Sequence, residues 1–196
     1  MVSAAQADLF RKSSEPEGFR YRTGVVAPAE EQRLVSQIAD LPLKEFLFQG
    51  FVAKRRVMSF GRRYDFERAR FEKTDEIPGF LLDLRGRAAA FAGLAADALV
   101  HVLVTEYAAG AQIGWHKDRP VFEDVIGASL LSACTFRFRR KHGAKWERHS
   151  LQAEPRSIYL MRGPSRWDWQ HSIPAVERLR YSVTFRSLRA GAEPCR

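Results

Sequence analysis

The sequence predicts an α+β domain, mainly β, and three observations carry that reading. Apolar stripes with a helical period occur only in the first half of the chain. From Val100 onward the pattern changes to short β-like segments separated by Gly, Pro or charged turns. No internal repeat or low-complexity tract interrupts the 196 residues, a length that suits one domain with a core of its own.

Residues 1–17 are polar and poorly periodic, so they are expected to form a flexible N-terminal segment ahead of one domain over 18–196. Ala27-Pro28-Ala-Glu-Glu31 starts a helix, because proline is tolerated in a first turn and acids favour the positive end of the helix dipole. Leu34, Val35, Ile38 and Leu41 continue as an apolar stripe, and Pro42 stops it. Segments 46–54 and 55–60 read as strands, with a turn at Gly61. Pro78-Gly79 opens a second helix over 79–98, whose alanines with Leu81, Leu84 and Phe91 would pack on a sheet. Strands follow near 100–107, 112–118, 127–131, 134–140, 146–151, 157–162, 166–171 and 180–187, with Lys141-His-Gly-Ala-Lys145 as a hairpin turn. Eight short strands after two helices point to a double-stranded β-helix (jelly roll) core over 99–190 with N-terminal supporting helices over 18–98.

Lys and Arg number 32 against 23 Asp and Glu, a net charge of +9 that draws the chain towards polyanions. Two cysteines, Cys134 and Cys195, cannot make a disulfide framework and fit a reducing compartment. No apolar run approaches the ~20 residues that span a bilayer, and the N-terminus has no secretory pattern. A cytoplasmic monomer without a membrane partner is the expectation.

Chemistry concentrates at His116-Lys117-Asp118. Residues two apart on a strand point the same way, so His116 and Asp118 can hold one metal ion together. A third ligand must come from another histidine. His101 lies in an apolar strand, His142 in the hairpin turn, and His149, the remaining competitor, is not followed by an arginine that opens an alternating strand like 180–186. His171 has such a partner in Arg180. Two imidazoles and a carboxylate cap one face of a metal and leave the opposite positions open. That arrangement suits a non-haem Fe(II) centre that binds a co-substrate and then O₂. The planar fork of Arg180 could grip a dicarboxylate through two parallel hydrogen bonds. The combination is that of an Fe(II)- and 2-oxoglutarate-dependent oxygenase.

From about Arg55 to Arg189 the chain resembles the AlkB family of nucleic-acid dealkylating dioxygenases. The matching stretches are Thr105-Glu-Tyr107-Ala-Ala-Gly110, His116-x-Asp118, Ser165-Arg166 leading to His171, and Arg180-x-Ser182-x-Thr184-x-Arg186. The last is similar to the family's Arg-x-Asn-x-Thr-x-Arg signature, with Ser182 where asparagine is usual. Arg55-Arg-Val-Met-Ser-Phe-Gly-Arg-Arg-Tyr64-Asp-Phe66 and Val121-Phe-Glu-Asp-Val-Ile126 are similar to the branch that hydroxylates a wobble-uridine modification in tRNA.

The resemblance implies Fe(II) held by His116, Asp118 and His171, with 2-oxoglutarate and O₂ as co-substrates. It places Arg180 on the distal carboxylate of 2-oxoglutarate and Arg186 near the metal end, close to Asp118. Ser182 and Thr184 share their strand face, and Tyr107 with Thr105 would hydrogen-bond the co-substrate from a neighbouring strand. Pro120 stands where the best-known members carry an acidic residue that contacts the flipped base.

A base must leave its stack to reach iron, so aromatic faces and a basic rim are expected. Phe60 and Tyr64 with Arg62 and Arg63 would form a nucleotide-gripping lid. Arg166 would lie near the site, and Trp167 and Trp169 would share a strand face with His171, Trp169 nearest the metal. A second basic row, Arg137, Arg139, Arg140, Lys141, Lys145 and Arg148, could track phosphates, although an ordinary half-buried strand explains the spacing equally well. The expected partner is nucleic acid, DNA or RNA including tRNA. The competing readings are a protein or small-molecule hydroxylase on the same scaffold and an idle jelly roll that only binds nucleic acid. The intact ligand set and Arg180 argue against the last.

Overall fold

The computed structural model describes residues 15–48, 51–65, 70–73 and 75–191. Of the expected flexible N-terminus, residues 1–14 lie outside this range. Residues 15–17 form an ordered turn, in which the Glu17 carbonyl accepts a hydrogen bond from the Ser165 amide at 2.8 Å.

The elements run β1 (Phe19–Arg22), α1 (Pro28–Ala39), β2 (Lys44–Phe48), β3 (Phe51–Asp65) and β4 (Arg70–Lys73), then α2 (Leu82–Ala92) behind a 3-10 turn at Gly79–Leu81. Next come β5 (Leu99–Tyr107), β6 (Ile113–His116), β7 (Phe122–Leu130), β8 (Cys134–His142), β9 (Lys145–Ala153) and β10 (Ser157–Met161). A short α3 (Pro164–Trp167), β11 (Gln170–Ile173) and β12 (Arg180–Leu188) complete the order. They build an eight-stranded sheet in the order β1-β10-β7-β12-β5-β3-β2, with β4 added on β3, and a four-stranded sheet in the order β6-β11-β8-β9. This is the double-stranded β-helix that the strand count predicts.

Two apolar layers hold it together. Leu34 and Ile38 of α1 and Leu84, Ala88 and Phe91 of α2 pack on the outer face of the large sheet against Val102, Val104, Ile126, Val183 and Phe185. Phe19, Tyr107, Val125, Phe136, Phe138, Met161 and Trp169 fill the space between the sheets. Strand alternation decides which layer a residue enters. On β12, Tyr181, Val183 and Phe185 face the helices, so Arg180, Ser182, Thr184 and Arg186 must face the second sheet. Among the described residues no helix is long and apolar enough to cross a membrane.

Three expectations need correction. Gly61 is no turn but a residue inside β3, paired with His101 at a φ of +83°. A Cβ there would lie 2.2 Å from the Val100 carbonyl oxygen, so close approach of the two strands requires the glycine. The second helix does not reach residue 98. It ends at Gly93, whose left-handed φ of +69° makes the C-cap, and a separate 3-10 turn spans Ala96–Ala98. The segment read as a strand over 166–171 begins as α3, because Pro164 sets the first turn of a helix.

Candidate active site

His116 closes β6 and lies opposite His171 of β11, so antiparallel pairing sets the two rings side by side with centroids 4.2 Å apart. Asp118 follows two residues beyond His116, and its Oδ2 is 3.5 Å from His171 Nε2. The candidate ligand atoms of His116, Asp118 and His171 all lie within 4.8 Å of one another, close enough to share one ion. His116 Nδ1 donates to the Gly114 carbonyl at 2.9 Å, which leaves Nε2 free to face an ion.

The opposite sheet completes the electrostatics. Arg186 donates to Asp118 Oδ1 from Nε at 3.0 Å and from Nη2 at 2.8 Å, and from Nη1 to His101 Nδ1 at 3.3 Å. Burial pushes the Asp118 carboxyl up, but Arg186, His171, His116 and Arg166 together outweigh it and hold the group well below the usual carboxylate range. Burial, reinforced by His116, Arg166 and Arg186, pushes His171 down to about 3. Carboxylate and neutral imidazole are the forms that bind metal.

Arg180 stands at the other end of the same strand face, 1 % exposed. Its Nη2 donates to Ser129 Oγ at 3.0 Å, and its guanidinium lies 4.9 Å from the centre of the Tyr107 ring. Nε and Nη1 are buried without a hydrogen-bond partner. A buried cation with two unsatisfied donors is costly unless an anion completes it. The donors therefore fit a carboxylate, and the cluster at the far end fits a metal. Ser182, Thr184 and Thr105 are buried between them, with Ser182 directly opposite Thr105 and Arg180 opposite Tyr107.

Three residues of this chamber escaped the sequence reading: Ser129, Gly127 and Tyr159. Gly127 lies opposite Thr184 on one side and Tyr159 on the other. A Cβ on it would meet Tyr159 Cζ at 2.2 Å. Burial, then Asp118 and Tyr107, push the Tyr159 hydroxyl up from its usual range, so the phenol stays neutral. An isolated glycine within the apolar run around Val125 and Ile126 is the one local signal of such a close approach. Nothing near Tyr159 in sequence marks it.

The residues expected to contact substrate are placed unevenly. Phe60 is 3 % exposed and packs in the helix-backed core, because β3 alternation turns it away from the inter-sheet side, so it is not an exposed lid aromatic. Arg62 is exposed. Arg63 and Tyr64 lie in β3 opposite Glu72 and Phe71 of β4, and their side chains are outside the described residues. Arg166 is 2 % exposed and donates to the carbonyls of Arg119 and Phe122, so it pins the turn after Asp118 instead of reaching outward. Lys117 donates to the Trp167 carbonyl across the same turn. Trp167 belongs to α3, not to the His171 strand face, with its indole N–H 3.3 Å from Glu123 Oε1. Trp169 is 2 % exposed, packs edge-on against Phe138 at 6.5 Å, and keeps an indole N–H with no partner.

A family model described as the 2OG-Fe(II) oxygenase superfamily matches residues 4–187. The chain is 28% identical over 190 residues to an Arabidopsis thaliana protein named "Alkylated DNA repair protein ALKBH8 homolog", covering 84% of this chain and 53% of that protein. It is 28% identical over 100 residues to "Uncharacterized protein L905" of Acanthamoeba polyphaga mimivirus, covering 44% and 47%. The chain thus spans about half the length of the curated relatives it matches. Among solved structures, OsALKBH1 superposes with a TM-score of 0.67 at 14% identity, covering 88% of this chain and 97% of the other. A Pseudomonas putida prolyl-4-hydroxylase gives 0.59 at 14% identity, with coverage of 88% and 93%. At that identity these likenesses concern the fold.

Proposed function

The chain belongs to the 2OG-Fe(II) oxygenase superfamily, and from that premise we propose that it oxidises alkyl groups on nucleic acid, DNA or RNA including tRNA. It is a dioxygenase that uses Fe(II), 2-oxoglutarate and O₂. The observation that carries the site assignment is the pair of unsatisfied Arg180 donors on the same strand face as the arginine that holds Asp118. The substrate class is supported by the net charge of +9 and by the Arabidopsis relative named for repair of alkylated DNA.

In this reading His116, Asp118 and His171 hold the iron. Arg186 keeps Asp118 ionised and turns Oδ2 towards His171. Arg180 binds the distal carboxylate of 2-oxoglutarate through Nη1 and the second Nη2 hydrogen, while Ser129 takes the first Nη2 hydrogen. Tyr107 covers that guanidinium, and Thr105, Ser182 and Thr184 line the chamber between the two ends. The iron and its co-substrate supply the oxidising chemistry, coupling decarboxylation of 2-oxoglutarate to succinate and CO₂ with hydroxylation of a C–H bond. The protein orients both partners and excludes water. A methyl group hydroxylated on nitrogen leaves as formaldehyde, and one on carbon stays as the alcohol.

Arg62, Arg63 and Tyr64 are the lid contacts of this proposal, and Trp169 adds an indole N–H on the His171 side of β11. Succinate formation by the Fe(II)-loaded chain, with mass analysis of N-methylated DNA, methylated RNA and bulk tRNA, tests it. Stimulated succinate with a demethylated or hydroxylated base is expected. Basal succinate with every nucleic acid unchanged would move the substrate to a protein or small molecule.

A further inference from the structure

The sheet that carries His116 and His171 has a second face, turned away from the chamber. Alternation sends Trp115, Arg137, Arg139, Lys141, Trp146 and Arg148 to that side. The Arg139 guanidinium lies 4.4 Å from the centre of the Trp115 ring and 4.5 Å from that of Trp146, so two indoles clamp it. Arg137 lies 5.1 Å from Trp115. One nitrogen of each is tied down, Arg139 Nε to Gln170 Oε1 at 2.8 Å and Arg137 Nε to Ser172 Oγ at 3.1 Å. Their terminal nitrogens make no protein hydrogen bond among the described residues.

The charges here oppose one another. Arg139 sits directly across from Arg148 on the antiparallel pair, an arrangement that destabilises a sheet when nothing offsets it. No carboxylate among the described residues pairs with Arg137, Arg139, Lys141 or Arg148. Glu147 pairs with Arg140 instead, and alternation puts both on the chamber side. Trp146 is 38% exposed. Arginines two positions apart along β8 are spaced by about 7 Å, a reach that suits successive phosphates of an extended strand.

We propose that this outer face docks the sugar–phosphate backbone of a nucleic-acid strand, with Arg137, Arg139 and Arg148 as phosphate contacts and Trp146 as a stacking platform. Indole-backed guanidinium planes offer forked donors to phosphate and flat faces to bases, which is how single strands are held without sequence preference. The surface lies behind the metal-bearing strands, so a strand gripped there must pass round the sheet edge for a base to reach the chamber. The inference rests on the nucleic-acid reading above.

The test measures binding of unmodified single-stranded DNA and RNA oligonucleotides of about 16 nucleotides, long enough for one such site, by the full chain across a sodium chloride series. The variant R137Q/R139Q/R148Q is expected to flatten the slope of log K against log [salt] by about 2, at roughly 0.7 per lost phosphate contact. Affinity at moderate salt should fall more than about tenfold. R137K/R139K/R148K keeps most of the slope, and W146A weakens binding with the slope unchanged. Succinate formation without nucleic acid reports that the variants remain folded. The pair K141Q/R148Q, which leaves the Arg139 stack intact, repeats the test and should flatten the slope by about 0.7, since Arg148 is the phosphate contact it removes. Salt-dependent binding that is identical in wild type and variants would overturn the docking surface and leave the nucleic-acid reading standing. No oligonucleotide binding by the wild type would overturn both. Binding to phosphatidylserine vesicles with the same dependence on these residues, without oligonucleotide binding, would replace the strand with a membrane surface.

Discussion

Replacing Arg180 by methionine removes its charge from the far end of the chamber while keeping an unbranched side chain of similar length. In the wild-type protein Nη1 has no partner and Nη2 spends one of its two hydrogens on Ser129, so a carboxylate at the end of the fork gains two charge-assisted hydrogen bonds. Each contributes about 1.5–3 kcal/mol, so losing both costs at least about 3 kcal/mol, a rise in Kd of roughly two orders of magnitude. The fold should tolerate the change, since an uncompensated buried charge is replaced by an apolar chain in the same space. Calorimetric titration of the manganese-loaded protein with 2-oxoglutarate measures the loss. Titration with 2-oxovalerate, which lacks the distal carboxylate, isolates its origin. Wild type should prefer 2-oxoglutarate by about two orders of magnitude, and Arg180→Met should bind both ligands with similar weakness. A variant that keeps the wild-type preference would show that another group reads the distal carboxylate, and the reasoning from unsatisfied donors would fail.

Three further outcomes follow from the geometry. His171→Ala should abolish iron-dependent succinate formation, whereas Arg186→Gln should weaken metal affinity by about 10–100-fold, because Arg186 orients and ionises Asp118 without ligating the ion; undiminished turnover in His171→Ala would refute the ligand assignment. Gly127→Ala should lower stability by about 1–3 kcal/mol by pressing on the Tyr159 ring. In a Tyr159→Ala background that increment should largely vanish, and strict additivity in thermal melts would show that the ring is not the obstacle. Burial, aided by Arg186, holds His101 well below its usual 6.5, so the unfolded chain takes up a proton that the folded one refuses. Its contribution to stability is therefore complete above about 6.5 and declines as pH falls below it, by about 1.4 kcal/mol per pH unit. Denaturant titrations of His101→Gln between pH 5 and 6.5 should show a slope smaller by one proton, and an unchanged slope would mean that His101 is charged in the fold.

Periodicity was a reliable guide where one face of an element is buried. The stripe of Leu34 and Ile38, the strands β5 and β8 and the two faces of β12 lie where alternation puts them. It failed where a backbone position mattered more than a side chain. Gly61 has the composition of a turn but serves a close strand approach, and Gly93 ends a helix that the alanines alone would carry further. It was silent on how a polar side chain near the site is used. Arg166 lies beside the candidate ligands, yet it is buried and spends its donors on the carbonyls of Arg119 and Phe122.

By itself the sequence determined the inventory and its phase: an imidazole and a carboxylate two positions apart, a later histidine, and a strand that turns two arginines and two hydroxyls to one side. Those are local properties, set by residue type and by the two-residue repeat of a strand. Only the tertiary structure decided the company each group keeps. Arg186 reaches Asp118 across 68 positions, Arg180 meets Ser129 across 51, and Tyr159 fills the space that Gly127 leaves. Such meetings depend on how β12 lies between β5 and β7 and over the second sheet. A buried charge is stable only with the partners that this stacking brings to it.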